Sequence, residues 1–231
     1  MCIRDRFYDK FRNRLMLPVI DTRGDVVAFG SRVLDKSEPK YMNSSETPVY
    51  SKRRVLYGLN LAKKSKRPNI ILCEGNLDIV TLHQAGFDNA VASMGTALTP
   101  EQIRLLSRFT KELVLCYDND NAGKIATERA LQLLNGSEFS VKVLQLPRRR
   151  TGDGELVKQD ADDFIKNQGP AAFERLLSGS ENGVEFRMAQ VAGKYDLDSD
   201  EQRVAYSQET VSYTQLRAHE TVLDLVCRLL L

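Results

Sequence analysis

Two short apolar runs end on acidic residues, and these carboxylates are the side chains best placed to do chemistry. The run over 69–73 ends at Glu74, and the run over 113–117 ends at Asp118, with Asp120 two residues on. Such runs indicate strands buried on both faces, as in parallel sheets. Because ligands bind beyond the carboxyl ends of these strands, we expect the three carboxylates to converge. Converging carboxylates repel one another unless a cation neutralises them, so the pattern predicts a divalent metal site.

Helix capping is the simpler interpretation of the second acidic motif. An Asp at a strand-to-helix turn commonly accepts hydrogen bonds from the first backbone N–H groups of the helix. For Asp118 or Asp120 taken alone, capping of a helix that begins near Ala122 is the favoured interpretation. Three acidic strand ends taken together favour the metal site.

The elements that must position these carboxylates alternate between strands and helices. This alternation predicts βαβ units and a parallel sheet, preceded by a hairpin over 15–34. Residues 148–159 are predicted to form a loose charged insertion, and 181–183 a hinge. The predicted strands are 69–73, 90–93, 113–117 and 141–146, and the predicted helices are 56–62, 77–85, 100–109, 122–134, 170–177 and 184–210, with a break at 196–200.

Composition excludes several classes of protein. With 231 residues, 42 % of them hydrophobic, the chain can build one core with a small appendage. No apolar run approaches the roughly 20 residues of a membrane helix, and we expect no secretory leader. The four cysteines form no Cys-x-x-Cys pair, which argues against a structural zinc site and against a disulfide framework. We therefore expect a cytoplasmic protein without membrane contact.

Charge is unevenly distributed along the chain. Residues 1–68 hold 16 Lys and Arg against 7 Asp and Glu, whereas the remainder holds 17 against 24, for a net charge of +2. A basic front half and an acidic back half predict a polyanion held beside a cation site.

The acidic motifs resemble those of the Toprim fold, in which an acidic residue and Gly follow the first strand (Glu74-Gly75) and Asp-x-Asp follows the third (Asp118, Asp120). Toprim domains occur in primases, topoisomerases, nucleases and recombination proteins. The flanking segments resemble the RNA-polymerase domain of bacterial DNA primases of the DnaG type, over about residues 7–210. The segments that carry this resemblance are 12–24, 29–34, 39–47, 56–59, 74–78 and 116–123.

The resemblance implies an α/β Toprim fold over 69–180, with a central parallel sheet of about four strands flanked by helices. A small mixed β-hairpin subdomain over 7–68, the end of a basic polymerase subdomain, would precede it, and a truncated helical segment over 181–210 would follow. Residues 1–6 and 211–231 connect poorly to their neighbours and resemble translated sequencing-adapter sequence. We therefore expect the natural protein to continue past both ends, the alternative being a genuine amphipathic terminal helix.

The activity implied by the resemblance is synthesis of short RNA primers on single-stranded DNA from ribonucleoside triphosphates, with Mg²⁺ or Mn²⁺. The expected partners are the DNA template, the RNA primer and the nucleotides. The protein is expected to be a monomer. Zinc and the replicative helicase are expected to bind only domains that this chain lacks.

Site residues are likewise implied by the resemblance. Metal ligands would be Asp118, Asp120, Asp160 and Asp162, with Glu74 a ligand or the general base. Tyr41 has two interpretations, stacking on a base or packing in the core. The residues expected to contact nucleotide, primer or template are Arg12, Arg14, Arg32, Lys40, Tyr41, Asn43 and Lys52, each with a solvated surface position as the alternative.

Two departures from the family pattern concern the third acidic motif. About a dozen extra residues separate it from Leu146-Pro147, and Ala161 replaces the usual Pro. Either Asp160 and Asp162 or Asp162 and Asp163 could therefore correspond to the acidic pair of the family.

Rival functions remain open at this point. Another Toprim enzyme, such as a nuclease or a topoisomerase-like protein, is the first. A haloacid-dehalogenase-type phosphatase ranks low, because its Asp-x-Asp ends the first strand rather than the third. An inactive fragment that binds DNA or nucleotide is the last.

Overall fold

The computed structural model describes residues 9–150 and 155–214. A small antiparallel sheet comes first, in the order β1-β2-β3, with β1 at Arg14–Ile20, β2 at Val26–Val33 and β3 at Tyr41–Asn43. The β1–β2 turn is fixed by Asp21, whose Oδ1 accepts hydrogen bonds from three backbone N–H groups, and by Gly24 at φ +106°. The predicted hairpin is confirmed.

A second sheet contains four parallel strands in the order β7-β6-β4-β5, as the sequence predicts. A fifth, antiparallel strand, β10 at Glu181–Asn182, pairs with β7 where a hinge was predicted, so the hinge is wrong. The parallel strands are β4 at Asn69–Cys73, β5 at Ala90–Ala92, β6 at Glu112–Leu115 and β7 at Ser140–Val143.

Strand β4 is buried on both faces, which accounts for its continuous apolar run. Ile70 and Leu72 pack into one apolar cluster, whereas Ile71 and Cys73 pack into another on the opposite face. Alternate side chains of a strand point to opposite faces, so each face of the sheet has its own layer of helices.

Eight helices are assigned within the described residues, and α3 begins at the predicted capping box of Thr99 and Gln102. Helix α5, which follows the acidic motif at Asp160, was not predicted, and α3 ends earlier than expected. The helices are α1 at Leu59–Ala62, α2 at Asn76–Gln84, α3 at Pro100–Leu106, α4 at Asn121–Leu134, α5 at Ala161–Gln168, α6 at Pro170–Ser178, α7 at Gly183–Ala192 and α8 at Asp200–Thr214.

The described parts of the charged insertion, 148–150 and 155–159, contain secondary structure that was not predicted. They hold a short antiparallel pair, β8 at Arg149–Arg150 and β9 at Leu156–Val157. Adapter-derived tails are expected at 1–6 and 211–231. Residues 1–6 and 215–231 lie outside the described residues, and 211–214 belong to α8. Within the described ranges, no helix is long and apolar enough to cross a bilayer.

Candidate metal and nucleotide site

Glu74 and Asp118 lie beyond the carboxyl ends of two adjacent strands. Leu72 of β4 pairs with Leu115 of β6, so both chains leave the sheet side by side. The backbone N–H of Asp118 donates to Glu74 Oε1 at 3.4 Å. The sheet register thus brings together two acidic residues that are 44 positions apart in the sequence.

Asp120 combines both roles considered for it. Its Oδ1 accepts a hydrogen bond from the Gly123 N–H at 2.8 Å and caps α4. Its Oδ2 faces Lys158, whose Nζ lies at 2.8 Å, while the same Nζ is 3.8 Å from Asp118 Oδ2. The cap therefore uses one oxygen and leaves the other for a cation.

The pKa values of these three carboxylates are shifted by burial and by their charged neighbours. Burial raises the pKa of Glu74, and the negative charge of Asp118 raises it further. Burial also raises the pKa of Asp118, where Lys158 opposes the shift and Asp160 and Asp120 add to it. In contrast, the hydrogen bond from Lys158 holds the pKa of Asp120 below its usual value.

The third acidic motif forms the N-terminus of α5, on the side of α2. Asp160 Oδ1 accepts from the Asp163 N–H at 2.7 Å and caps the helix. Asp162 has both oxygens engaged, with Thr81 Oγ1 and with Lys166 Nζ, each at 2.5 Å. Burial opposes ionisation of Asp162, but these two hydrogen bonds and the charges of Lys166 and Arg32 together lower its pKa. Asp163 is exposed, whereas Asp160 and Asp162 are half-buried.

Asp78 connects the first acidic motif to the third. Its carboxylate is 8 % exposed and accepts hydrogen bonds from the Gly75 N–H at 3.1 Å and the Asp162 N–H at 3.2 Å. Burial, with the charge of Asp160, raises the pKa of Asp78 to about 7. Asp78 therefore contacts both the first and the third acidic motif.

A cationic and aromatic cluster lies beside the acidic residues. Arg32 and Lys40 lie 5.8 Å and 5.5 Å from the ring centroid of Tyr41, which is 52 % exposed. Burial raises the pKa of Tyr41, Arg32 opposes this shift, and Asp78, Asp160 and Asp162 add to it. Tyr41 is therefore a surface residue near the carboxylates, and packing in the core is ruled out for it.

Four further residues are predicted from the sequence to contact nucleotide, primer or template. Asn43 Nδ2 donates to the Met94 carbonyl at 3.2 Å and joins the small sheet to the loop after β5. Arg12 is exposed, with its Nε on the Asp9 carbonyl, and Lys52 is half-buried. Arg14 begins β1, and its buried Nη1 has no hydrogen-bond partner among the described residues. Asn43 lies two residues after Tyr41 on β3, so these two side chains extend from the same face of the small sheet.

The donor set fits a hard divalent cation. Every candidate ligand is a carboxylate, and oxygen-rich sites suit Mg²⁺ and Mn²⁺. Single oxygens of Asp160, Asp162 and Asp163 lie within 4.8 Å of one another, whereas Glu74, Asp118 and Asp120 are joined through a backbone N–H and Lys158.

Lys158 is the site residue that sequence reasoning missed. The insertion had been interpreted as loose, and one Lys among several charges gives no periodic signal. The only available signal is its position two residues before the acidic motif at Asp160.

Two family models match the chain. One, described as Toprim-like, covers residues 71–165, and the other, described as the N-terminal domain of the DNA primase catalytic core, covers residues 2–63. The first match includes Glu74, Asp118 and Asp160, and the second includes the small antiparallel sheet.

Curated relatives extend the match. A DNA primase of Clostridium acetobutylicum is 41 % identical over 200 residues, which are 86 % of this chain and 32 % of that protein. A DNA primase of Haemophilus influenzae is 41 % identical over 202 residues, or 87 % and 33 % of the two chains. The chain thus spans about a third of the length of these relatives.

Solved structures agree. The E. coli primase catalytic core superposes with a TM-score of 0.78 at 34 % identity, covering 100 % of this chain and 72 % of that one. A DnaG primase catalytic domain bound to single-stranded DNA gives 0.79 at 33 % identity, with 97 % and 71 % covered. The parallel sheet with its acidic edge is a Toprim catalytic domain. Joined to the antiparallel sheet before it, the chain belongs to the catalytic-core family of DnaG-type bacterial DNA primases.

Proposed function

We propose that this chain is the catalytic core of a DNA primase that makes short RNA primers on single-stranded DNA from ribonucleoside triphosphates. The observation that carries the proposal is the contact of Glu74 with Asp118 across β4 and β6, with Asp120 on the same side. A relative's catalytic domain has been solved with single-stranded DNA, which supports the same template here.

Phosphoryl transfer requires an activated 3′-hydroxyl and neutralisation of charge on the phosphate and the leaving pyrophosphate. Bound Mg²⁺ or Mn²⁺ supplies that neutralisation. We assign the free oxygens of Asp118, Asp120 and Asp160 to metal binding. Glu74 would be a ligand or the general base, and its raised pKa suits a carboxylate that accepts the hydroxyl proton. Asp162 and Asp78, whose oxygens accept hydrogen bonds within the protein, would hold the third motif in place.

The cluster of Arg32, Lys40 and Tyr41 would contact the nucleotide, the primer or the template. Cations contact phosphates without sequence specificity, and an exposed ring offers a stacking face. Arg12, Arg14, Asn43 and Lys52 are proposed as further nucleic-acid contacts. We propose the bacterial cytoplasm as the location, a monomer as the oligomeric state, and helicase contact through a domain outside this chain.

Primer synthesis on a single-stranded template tests the proposal. The chain is assayed alone and in place of the matching segment of a full-length relative, with Asp118→Asn and Asp120→Asn. Each variant should lose at least about 100-fold in rate, since each removes a charged ligand. Glu138→Gln is the matched control, because its side chain is 82 % exposed beyond the opposite end of β7.

Two outcomes would overturn the assignment. Unchanged synthesis in both Asp variants would remove these residues as ligands. Strand cleavage without metal-dependent binding of free ribonucleoside triphosphate would favour a Toprim nuclease instead.

A further inference from the structure

Lys158 is held at the acidic site by the chain on both sides of it. Val157, immediately before it, pairs with Arg149 in the β8–β9 pair. Gln159, immediately after it, is 3 % exposed, and its Nε2 donates to the Pro147 carbonyl at 2.6 Å. The short strand pair and the buried glutamine therefore fix the backbone from which the Lys158 side chain reaches the carboxylates.

The Lys158 ammonium contacts the oxygens on which a metal ion would depend. Asp120 commits Oδ1 to the cap of α4, so Oδ2 is its remaining oxygen, and Lys158 Nζ lies 2.8 Å from it. The same Nζ lies 3.8 Å from Asp118 Oδ2. A divalent ion placed between these two oxygens would lie against the ammonium, and two cations at such a distance repel each other.

Displacement of the ammonium is nonetheless easy. The Lys158 side chain is 60 % exposed, and exposed ion pairs contribute little to stability. Its four-carbon stem can move the charge into solvent or toward a phosphate at the mouth of the site. The contact is therefore weak enough for a bound divalent ion to displace the ammonium.

We propose that Lys158 is a tethered counter-ion that competes with the divalent metal ion for Asp118 and Asp120 and so sets the metal concentration at which the site fills. This inference rests on the proposed function, because it takes those carboxylates as metal ligands. It adds a residue of the insertion that regulates their occupancy.

Direct metal binding tests the inference without any measurement of activity. Mn²⁺ is titrated into the full chain, and free Mn²⁺ is followed by electron paramagnetic resonance, for wild type, Lys158→Met and Lys158→Arg. Removal of the charge should tighten Mn²⁺ binding about threefold to tenfold, because repulsion and competition are both lost. Lys158→Arg should stay within about twofold of wild type, since the cation remains.

Matched variants separate this effect from a change in overall charge. Lys142→Met removes one charge from an ion pair with Glu112, at the opposite end of the sheet, and should leave Mn²⁺ affinity unchanged. Asp118→Asn should abolish the Mn²⁺ site. Thermal unfolding of every variant verifies that it is folded.

The outcomes distinguish the two claims. Wild-type Mn²⁺ binding that depends on Asp118, with Lys158→Met equal to Lys142→Met, would overturn the inference and leave the proposed function standing. Weaker binding in Lys158→Met would also overturn it and make Lys158 a group that merely holds the carboxylates in place. Absence of Mn²⁺ binding in wild type and Lys158→Met alike would overturn both claims.

Discussion

Asp78 is a buried acid beside the candidate metal site. Its two oxygens accept backbone N–H groups from Gly75 and Asp162, so it ties the turn after β4 to the first turn of α5. Desolvation works against its negative charge, and Asp160 adds repulsion, which together raise its pKa. The protein thus stores an unfavourable charge next to its candidate site, a cost that depends on pH.

Substitution of Asp78 by Asn should reveal that cost. The pKa rises from 3.8 to about 7 on folding, so between these values the folded state binds more protons than the unfolded state. The stabilising contribution of the protonated acid is complete below the lower value and is lost as the pH rises to the upper one. Within this window, the free energy of unfolding of wild type should fall relative to that of Asp78→Asn by up to about 1.4 kcal/mol per pH unit.

Urea unfolding in chelator at pH 5, 6, 7 and 8 measures this difference in the free energy of unfolding. This difference in the free energy of unfolding should level off once the pH exceeds about 7 to 8. A difference that stays constant across all four pH values would show that Asp78 is ionised throughout.

A second prediction for a single residue concerns Lys40, which is exposed and lies against the ring of Tyr41. If its charge binds a DNA phosphate, Lys40→Ala should weaken single-stranded DNA binding at every sequence. The slope of log affinity against log salt should fall by about 0.7, the value for one phosphate contact on a single strand. Fluorescence anisotropy across a salt series measures both quantities. Lys64→Ala is the control, because Lys64 is exposed after α1 and should leave the slope unchanged.

Single residues show what the sequence could and could not predict. Glu74, Asp118 and Asp120 were predictable as neighbours, because parallel strands with helical crossovers must end at a common edge. Lys158 was not, because its contact depends on how β8 and β9 fold the insertion back over that edge. Tyr41 stayed undecided in the sequence, since an aromatic residue in a polar segment carries no burial signal.

At the scale of elements, buried strands were the easiest to predict and short helices the hardest. The apolar runs of β4 and β6 follow from burial on both faces, which demands continuous hydrophobicity. Helix α5 begins with an acidic cluster that resembles a loop, and its buried apolar residues Ala161, Phe164 and Ile165 are too few to show a clear helical period. The extra strand β10 is two residues long, too short for any periodicity to indicate it.

Helix α5 depends on its cap, and this separates two roles of Asp160. Asp160→Ala removes the acceptor of the Asp163 N–H and should lower the free energy of unfolding by about 1 kcal/mol. Asp160→Asn keeps a good capping side chain and should remain close to wild type in stability. Both variants remove the negative charge, so both should weaken Mn²⁺ binding if Asp160 is a ligand.

Urea unfolding without metal measures the cap, and Mn²⁺ titration measures the charge. Equal loss of stability in the two variants would contradict the capping argument. Unchanged Mn²⁺ affinity in the stable Asn variant would remove Asp160 from the ligand set.

At the scale of the whole molecule, the apolar core crosses the domain boundaries expected from the sequence. Leu56 and Leu59, each 1 % exposed, precede residue 69, and Phe186, 2 % exposed, follows residue 180. All three pack into the cluster that contains Leu72 and Leu115 of the parallel sheet. The small sheet is also tied to the larger one, through the hydrogen bond from Asn43 to the Met94 carbonyl. The Toprim region therefore shares one apolar cluster with the segments directly before and after it, although their charges and sequence patterns differ.

Fragments of the chain test this shared core. A fragment over 69–180 loses the three buried side chains, each worth about 1.5–3 kcal/mol, and should be less stable than a 55–192 fragment by about 5 kcal/mol or more. Fragments over 55–180 and 69–192 should fall between them, because each restores one flank. Urea unfolding with tyrosine fluorescence ranks the four. Equal stability of the 69–180 and 55–192 fragments would establish the Toprim region as independent, and the flanks would then serve only to present Arg32, Lys40 and Tyr41 to the acidic edge.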